Sequence, residues 1–99
     1  GVISVASHVA GPDMKRLVEA MASRDLEEAR RLHAHLYPLM QGLFLAPSPA
    51  PVKAALAMQG LPVGSVRLPL VPLDEGDCAR VEALLAGAGV RQLPALAAQ

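Results

Sequence analysis

Apolar positions along this chain follow two different spacings. Gly1-Val2-Ile3-Ser4-Val5 opens with an apolar, β-branched run, a pattern that predicts a strand buried on both faces, as in parallel sheets and barrels. Such a strand needs neighbours on both edges, because its backbone donors and acceptors must be paired. Nothing downstream has the pattern to supply them. With no initiator Met ahead of Gly1, the expectation is the tail end of a larger protein, cut at or just before its last strand. Val2, Ile3 and Val5 then form an unpartnered apolar edge, expected to be disordered, folded back on the helices, or paired with a second copy.

The rest of the chain changes to helical spacing. Residues 6–11 read as a turn of small residues, and Pro12 suits a first helical position. Met14, Leu17, Val18 and Met21 form one stripe, with Asp13 in the first turn where the helix dipole favours negative charge. A helix over 12–23 follows. Ser23-Arg24-Asp25 breaks it, and Asp25 with Glu28 has capping-box spacing. Leu26, Ala29, Leu32, Leu36, Leu39, Met40 and Leu43 carry a second helix over 25–45, with a kink expected at Pro38.

Six of the nine prolines fall between residues 46 and 72. Val52, Leu56, Met58, Leu61, Val66, Leu68 and Leu70 make that stretch too apolar for a linker. It reads as an ordered turn, a short helix over 50–59 stopped by Gly60, and an extended segment on the helices. Asp74 caps a last helix over 74–88, with Cys78, Val81, Leu84, Leu85 and Ala88 on its buried face. Gly87 and Gly89 end it, and 90–99 reads as a frayed tail.

Composition narrows the function. The 99 residues make at most one small domain, and nine basic against nine acidic residues give no electrostatic case for nucleic acid or an anionic membrane. Apolar residues make up 53%, yet Tyr37 and Phe44 are the only aromatics, which excludes a base-stacking surface and points to a core of Leu, Val, Ala and Met. Cys78 is alone, so no intrachain disulfide forms and a reducing cytoplasm is the expected compartment. No apolar run approaches the roughly 18 residues of a membrane span, and the N-terminus lacks signal-peptide character.

The candidate chemical groups all have plainer explanations. A Schiff-base lysine needs a desolvated pocket, whereas Lys15 lies among polar neighbours and Lys53 follows Pro51-Val52 at a helix start. His33 and His35 are two apart and diverge on a helix, so they make no metal pair. Ser7-His8 are adjacent, with no acidic orienter in view, and loop polarity accounts for them. Gly60-Leu61-Pro62-Val63-Gly64 lacks the ending of a phosphate loop. Glu27, Glu28, Arg30 and Arg31 form a solvated helix face, and Cys78 reads as a small core residue. No self-sufficient active site, metal or cofactor is expected.

One stretch is far more specific. Leu43-Phe44-Leu45-Ala46-Pro47-Ser48-Pro49-Ala50-Pro51-Val52-Lys53 resembles the L-F-x-E-P-N-P-x-P-V-K signature of the dihydrodipicolinate synthase (4-hydroxy-tetrahydrodipicolinate synthase) family. Arg67-Leu68-Pro69-Leu70-Val71-Pro72-Leu73 resembles its R-L-P-L-x-P-L segment at the expected distance. Asp25-Leu26-Glu27-Glu28-Ala29-Arg30 falls where that family starts its C-terminal helical domain. The resemblance runs in one register over residues 1–90.

The resemblance implies a mainly α chain: the last strand-helix unit of a (β/α)8 TIM barrel at 1–23, followed by the appended C-terminal helical domain at 24–99. It implies condensation of pyruvate, held as a Schiff base on a lysine of an earlier strand, with aspartate semialdehyde, in a full-length homo-oligomer, a tetramer. Ile3 alone carries over as a site residue, matching the strand-eight isoleucine that borders the pyruvate pocket. Neither lysine matches the catalytic one, and a full barrel needs about 250 residues, so the chain by itself is expected to be inactive. Ala46, Ser48 and His8 depart from the family's Glu, Asn and Asn. The alternatives are a fragment of a sibling pyruvate aldolase such as N-acetylneuraminate lyase, or a free-standing helical interaction module derived from the same domain.

Overall fold

The computed structural model describes residues 1–90. Four helices follow one another: α1 (Ser7–Ala22), α2 (Leu26–Gly42), α3 (Ala50–Met58) and α4 (Glu75–Ala88). Of the tail expected at 90–99, Val90 instead packs half-buried against the core and donates its N–H to Leu85 O at 3.3 Å; residues 91–99 lie outside the described residues.

Four of the helix boundaries have a local cause in a capping side chain or a glycine. Asp25 accepts a hydrogen bond from Glu28 N at 3.1 Å, and Asp74 one from Asp77 N at 2.7 Å. Each thereby satisfies a donor that the first helical turn leaves unpaired. Gly60 (φ 98°) follows α3 and Gly89 (φ 63°) follows α4, in the left-handed region that lets the chain reverse over the last carbonyls. Leu61 N accordingly donates to Leu56 O at 2.9 Å. Gly87, expected to help end α4, is part of it.

α1 departs furthest from the sequence reading. It begins at Ser7 rather than Pro12 and absorbs the expected turn, so His8 lies in its first turn. Ala10 (φ −130°, ψ 39°) interrupts it. Pro12 has no N–H to offer His8 O one turn earlier, so the first turn and the remainder of α1 are joined through a break just before the proline. Pro38 acts differently. α2 runs through it with no non-helical residue.

Among the described residues there is no strand; residues 1–4 have neither helix nor sheet structure. A β-branched run becomes a strand only when another strand pairs with it, and among the described residues no segment does so. The fold is therefore mainly helical.

α1 packs on α2 and α3, and α4 packs on the same two helices. Leu36, Leu39 and Leu43 of the α2 stripe are fully buried at the centre, with Val81 of α4 and Ala55 of α3. Ala6, Val9, Ala10 and Met14 of α1 join the same core, so residues 6–14 are continuous in packing with the three later helices. Val63, Leu73 and Leu61 of the connecting segments lie half-buried against it.

Candidate functional site

The chain's N-terminal segment and α1 present an apolar face. Ile3 is fully exposed at 105%, Val2 is 58% exposed, and Val18 and Met21 of α1 are 39% and 54% exposed. Val2 lines an open groove of about 510 Å³ with Met14, Leu17, Val18 and Met21. Val5, by contrast, is half-buried against the core. The strand-like run is therefore folded back on α1 in part, and Ile3, the residue the resemblance singles out, stands clear of the molecule.

Neither lysine has the setting of a Schiff-base nucleophile. Lys15 is 77% exposed with Nζ 3.9 Å from Glu19. Lys53 is half-buried, and its Nζ donates to Ser65 O at 2.7 Å, tying α3 to the extended segment after it. The Ser7 hydroxyl donates to Ser4 O at 2.9 Å, so it belongs to the turn that starts α1. His8 is exposed beside it.

His33 and His35 diverge, as their spacing predicts. The His33 ring lies tilted against Tyr37, with centroids 5.7 Å apart. His35 Nε2 is 2.8 Å from Ala88 O. A carbonyl only accepts, so Nε2 carries the hydrogen and closes one of the carbonyls left open at the end of α4. Cys78 is half-buried, its sulfur 3.9 Å from Leu73 O. Among the described residues, no three His, Cys, Asp or Glu side chains come together as a metal site. No described helix is long and apolar enough to cross a membrane.

On the solvated face of α2, Arg31 Nε and an η-nitrogen donate to the two Glu28 carboxylate oxygens at 2.8 and 2.6 Å. These bonds hold the Glu28 carboxyl below its ordinary pKa and raise that of Arg31. Arg16 pairs with Asp13 and Arg80 with Asp77 in the same i,i+3 manner. Such exposed pairs neutralise charge locally.

Two long-range polar contacts had no local signature: His35 with Ala88, and Gln59 with Val9. Gln59 is 4% exposed and its Nε2 donates to Val9 O at 3.0 Å. Partners fifty or more positions apart leave no periodic trace in a sequence. For Gln59 the available signal was an amide side chain just ahead of the α3 stop at Gly60, where the chain must turn inward.

A second apolar groove, about 480 Å³, runs between α2 and α4 over Leu39, Leu45 and Leu84, with His35 and Arg80 at its edges. The described residues thus offer apolar surfaces and no convergence of nucleophile, base and orienting acid.

Residues 1–88 match the family described as the Dihydrodipicolinate synthetase family. The 4-hydroxy-tetrahydrodipicolinate synthase of Bacillus subtilis is 53% identical over 77 residues, covering 78% of this chain and 27% of that protein. Among solved structures, the dihydrodipicolinate synthase from Thermotoga maritima superposes with a TM-score of 0.85 at 43% identity, covering 90% of this chain and 30% of that one. A structure described as the first monomeric dihydrodipicolinate synthase variant superposes at 0.86 with 42% identity, covering 91% of this chain and 30% of its own. The chain therefore spans less than a third of the length of the relatives it matches.

Proposed function

The chain belongs to the dihydrodipicolinate synthetase family, and on that premise we propose that it is the C-terminal part of a lyase that condenses pyruvate with aspartate semialdehyde on the route to diaminopimelate and lysine. Residues 1–23 supply the last strand-helix unit of the barrel, and residues 24–99 supply the helical domain. The Schiff-base lysine belongs to the barrel segment, and neither Lys15 nor Lys53 takes its place. The complete protein acts as a homo-oligomer.

The observation that carries the reading is Ile3, 105% exposed in a segment of strand-forming residues. Paired between barrel strands, residues 1–5 gain the ladder partners they lack, and Ile3 gains an apolar neighbourhood. Against bound pyruvate its role is steric. A branched aliphatic side chain fills one wall of the pocket, holds the substrate's methyl side and displaces water from the Schiff base. The four helices beneath act as a rigid seat for that wall.

The test is a chimera joining this chain to the preceding segment of the Bacillus subtilis relative. It should condense pyruvate with aspartate semialdehyde. Borohydride added with pyruvate should attach a pyruvyl group to a lysine of the barrel segment, and should leave the mass of the 99-residue chain alone unchanged. A stable adduct on Lys15 or Lys53, or a folded chimera without turnover, overturns the reading. Sedimentation of the active chimera measures its oligomeric state, with the tetramer expected.

A further inference from the structure

Gln59 is a buried polar residue in a core otherwise built of aliphatic side chains. A buried amide costs free energy unless it is bonded, so its partner matters. Gln59 Nε2 donates to the carbonyl of Val9, the residue immediately before the break in α1 at Ala10. The bond joins the end of α3 to the start of α1.

Both ends of the bond are held. On the α3 side, Gln59 N donates to Ala55 O at 3.0 Å, and the reversal at Gly60 closes over it. On the α1 side, Val9 N and Ala10 N donate to Ala6 O at 3.1 and 2.8 Å, and His8 N donates to Val5 O at 3.1 Å. Ser7 N donates to Ser4 Oγ at 3.1 Å, and its hydroxyl returns to Ser4 O. Residues 4–10 thus form one hydrogen-bonded unit that continues directly into Ile3.

We infer that Gln59 is a positioning residue: by holding the Val9 carbonyl it fixes residues 4–10 and so sets where Ile3 stands against the pyruvate pocket. The inference rests on the reading of the chain as part of the synthase. Gln59 touches no substrate, and it acts through the turn it anchors. An apolar residue of the same length at 59 would fill the same space but remove this donor from the Val9 carbonyl, loosening the turn while the helical core stays packed.

The test has two arms. In the 99-residue chain, Gln59→Met should leave helix content unchanged and shift the nuclear magnetic resonance signals of residues 4–10 more than those of α2. In the chimera, Gln59→Met should raise the KM for pyruvate by about tenfold, the scale of one lost buried hydrogen bond, with kcat changed less than about twofold. Gln59→Asn, which keeps the amide but pulls it back by one methylene, should behave in the same direction and serves if the Met variant does not fold. Unmoved signals at residues 4–10, or a pyruvate KM unchanged in an active chimera, overturns the inference. A wild-type chimera that is folded but inactive overturns the synthase reading instead, so the two failures are distinct.

Discussion

Gly42 and Leu84 interlock where α2 packs against α4: a β-carbon on Gly42 would overlap Leu84 Cδ1 and lie 3.1 Å from its Cγ. The glycine therefore lets the two helices approach with Leu84 filling the space a side chain would take. Gly42 is the last residue of α2 and has no positive φ among the residues that do, so close approach is what it provides.

Two effects oppose each other in Gly42→Ala. Alanine gains about 0.5–1 kcal/mol of helix propensity over glycine, and overpacking costs about 1–3 kcal/mol. Because both Cδ2 and Cγ of Leu84 crowd the site, a small tip rotation does not relieve it, and net destabilisation is expected. In a Leu84→Ala background the space is open, and the same substitution should be neutral or stabilising. Urea denaturation of the four variants measures the coupling; an equal effect in both backgrounds would show that the overlap is not what selects glycine.

Burial separates two leucines of the same chemistry. Leu36 is fully buried and Leu68 is 85% exposed. Leu36→Ala should cost about 2–5 kcal/mol through lost transfer energy and the cavity left behind. Leu68→Ala should change stability by less than about 0.5 kcal/mol. Thermal or urea unfolding of the two variants side by side checks the contrast.

Features whose cause lies within one or two helical turns were legible before the structure. Asp25 and Asp74 cap as their spacing predicts, Gly60 and Gly89 turn the chain, and the stripe through Leu32, Leu36, Leu39 and Leu43 is the buried face of α2. The opening five residues form no strand and fold back in part on α1, one of the outcomes expected of a β-branched run without a pairing partner. The first turn of α1 was missed because Pro12 looked like a helix start; the break at Ala10 shows why it looked so. Of the site, the exposure of the Val2–Ile3 edge was anticipated. The grip of Gln59 on Val9 was not, since it joins residues fifty positions apart.

Glu28 provides a pH-dependent test. Its folded-state pKa lies below the ordinary value of 4.5 because Arg31 donates to the ionised carboxylate. Folding therefore favours the charged form. The contribution is fully present above about pH 4.5, the unfolded value, and disappears as pH falls through the lowered folded value. Arg31→Ala should move the Glu28 midpoint up toward 4.5 in a carboxyl resonance titration. The stability difference between the wild-type chain and Glu28→Gln should shrink as the solution is acidified through that window. A midpoint indifferent to Arg31 would contradict the assigned cause.

Ile3 and Met14 lie at opposite extremes of exposure. The Ile3 side chain contributes nothing to the four-helix core, being fully exposed, whereas Met14 on the inner face of α1 is 4% exposed. In the 99-residue chain, Ile3→Lys should therefore change folding stability by less than about 0.5 kcal/mol, while Met14→Lys places an unpaired charge in the core and should prevent stable folding. The apolar edge of Val2 and Ile3 also invites association between copies, so Ile3→Lys should lower self-association in sedimentation velocity. In the chimera the same substitution places a cation in the proposed pyruvate wall, and turnover should fall far more than stability does. If Ile3→Lys instead unfolds the isolated chain, residues 1–5 are integral to a self-contained fold, and their assignment as a barrel strand loses its physical basis.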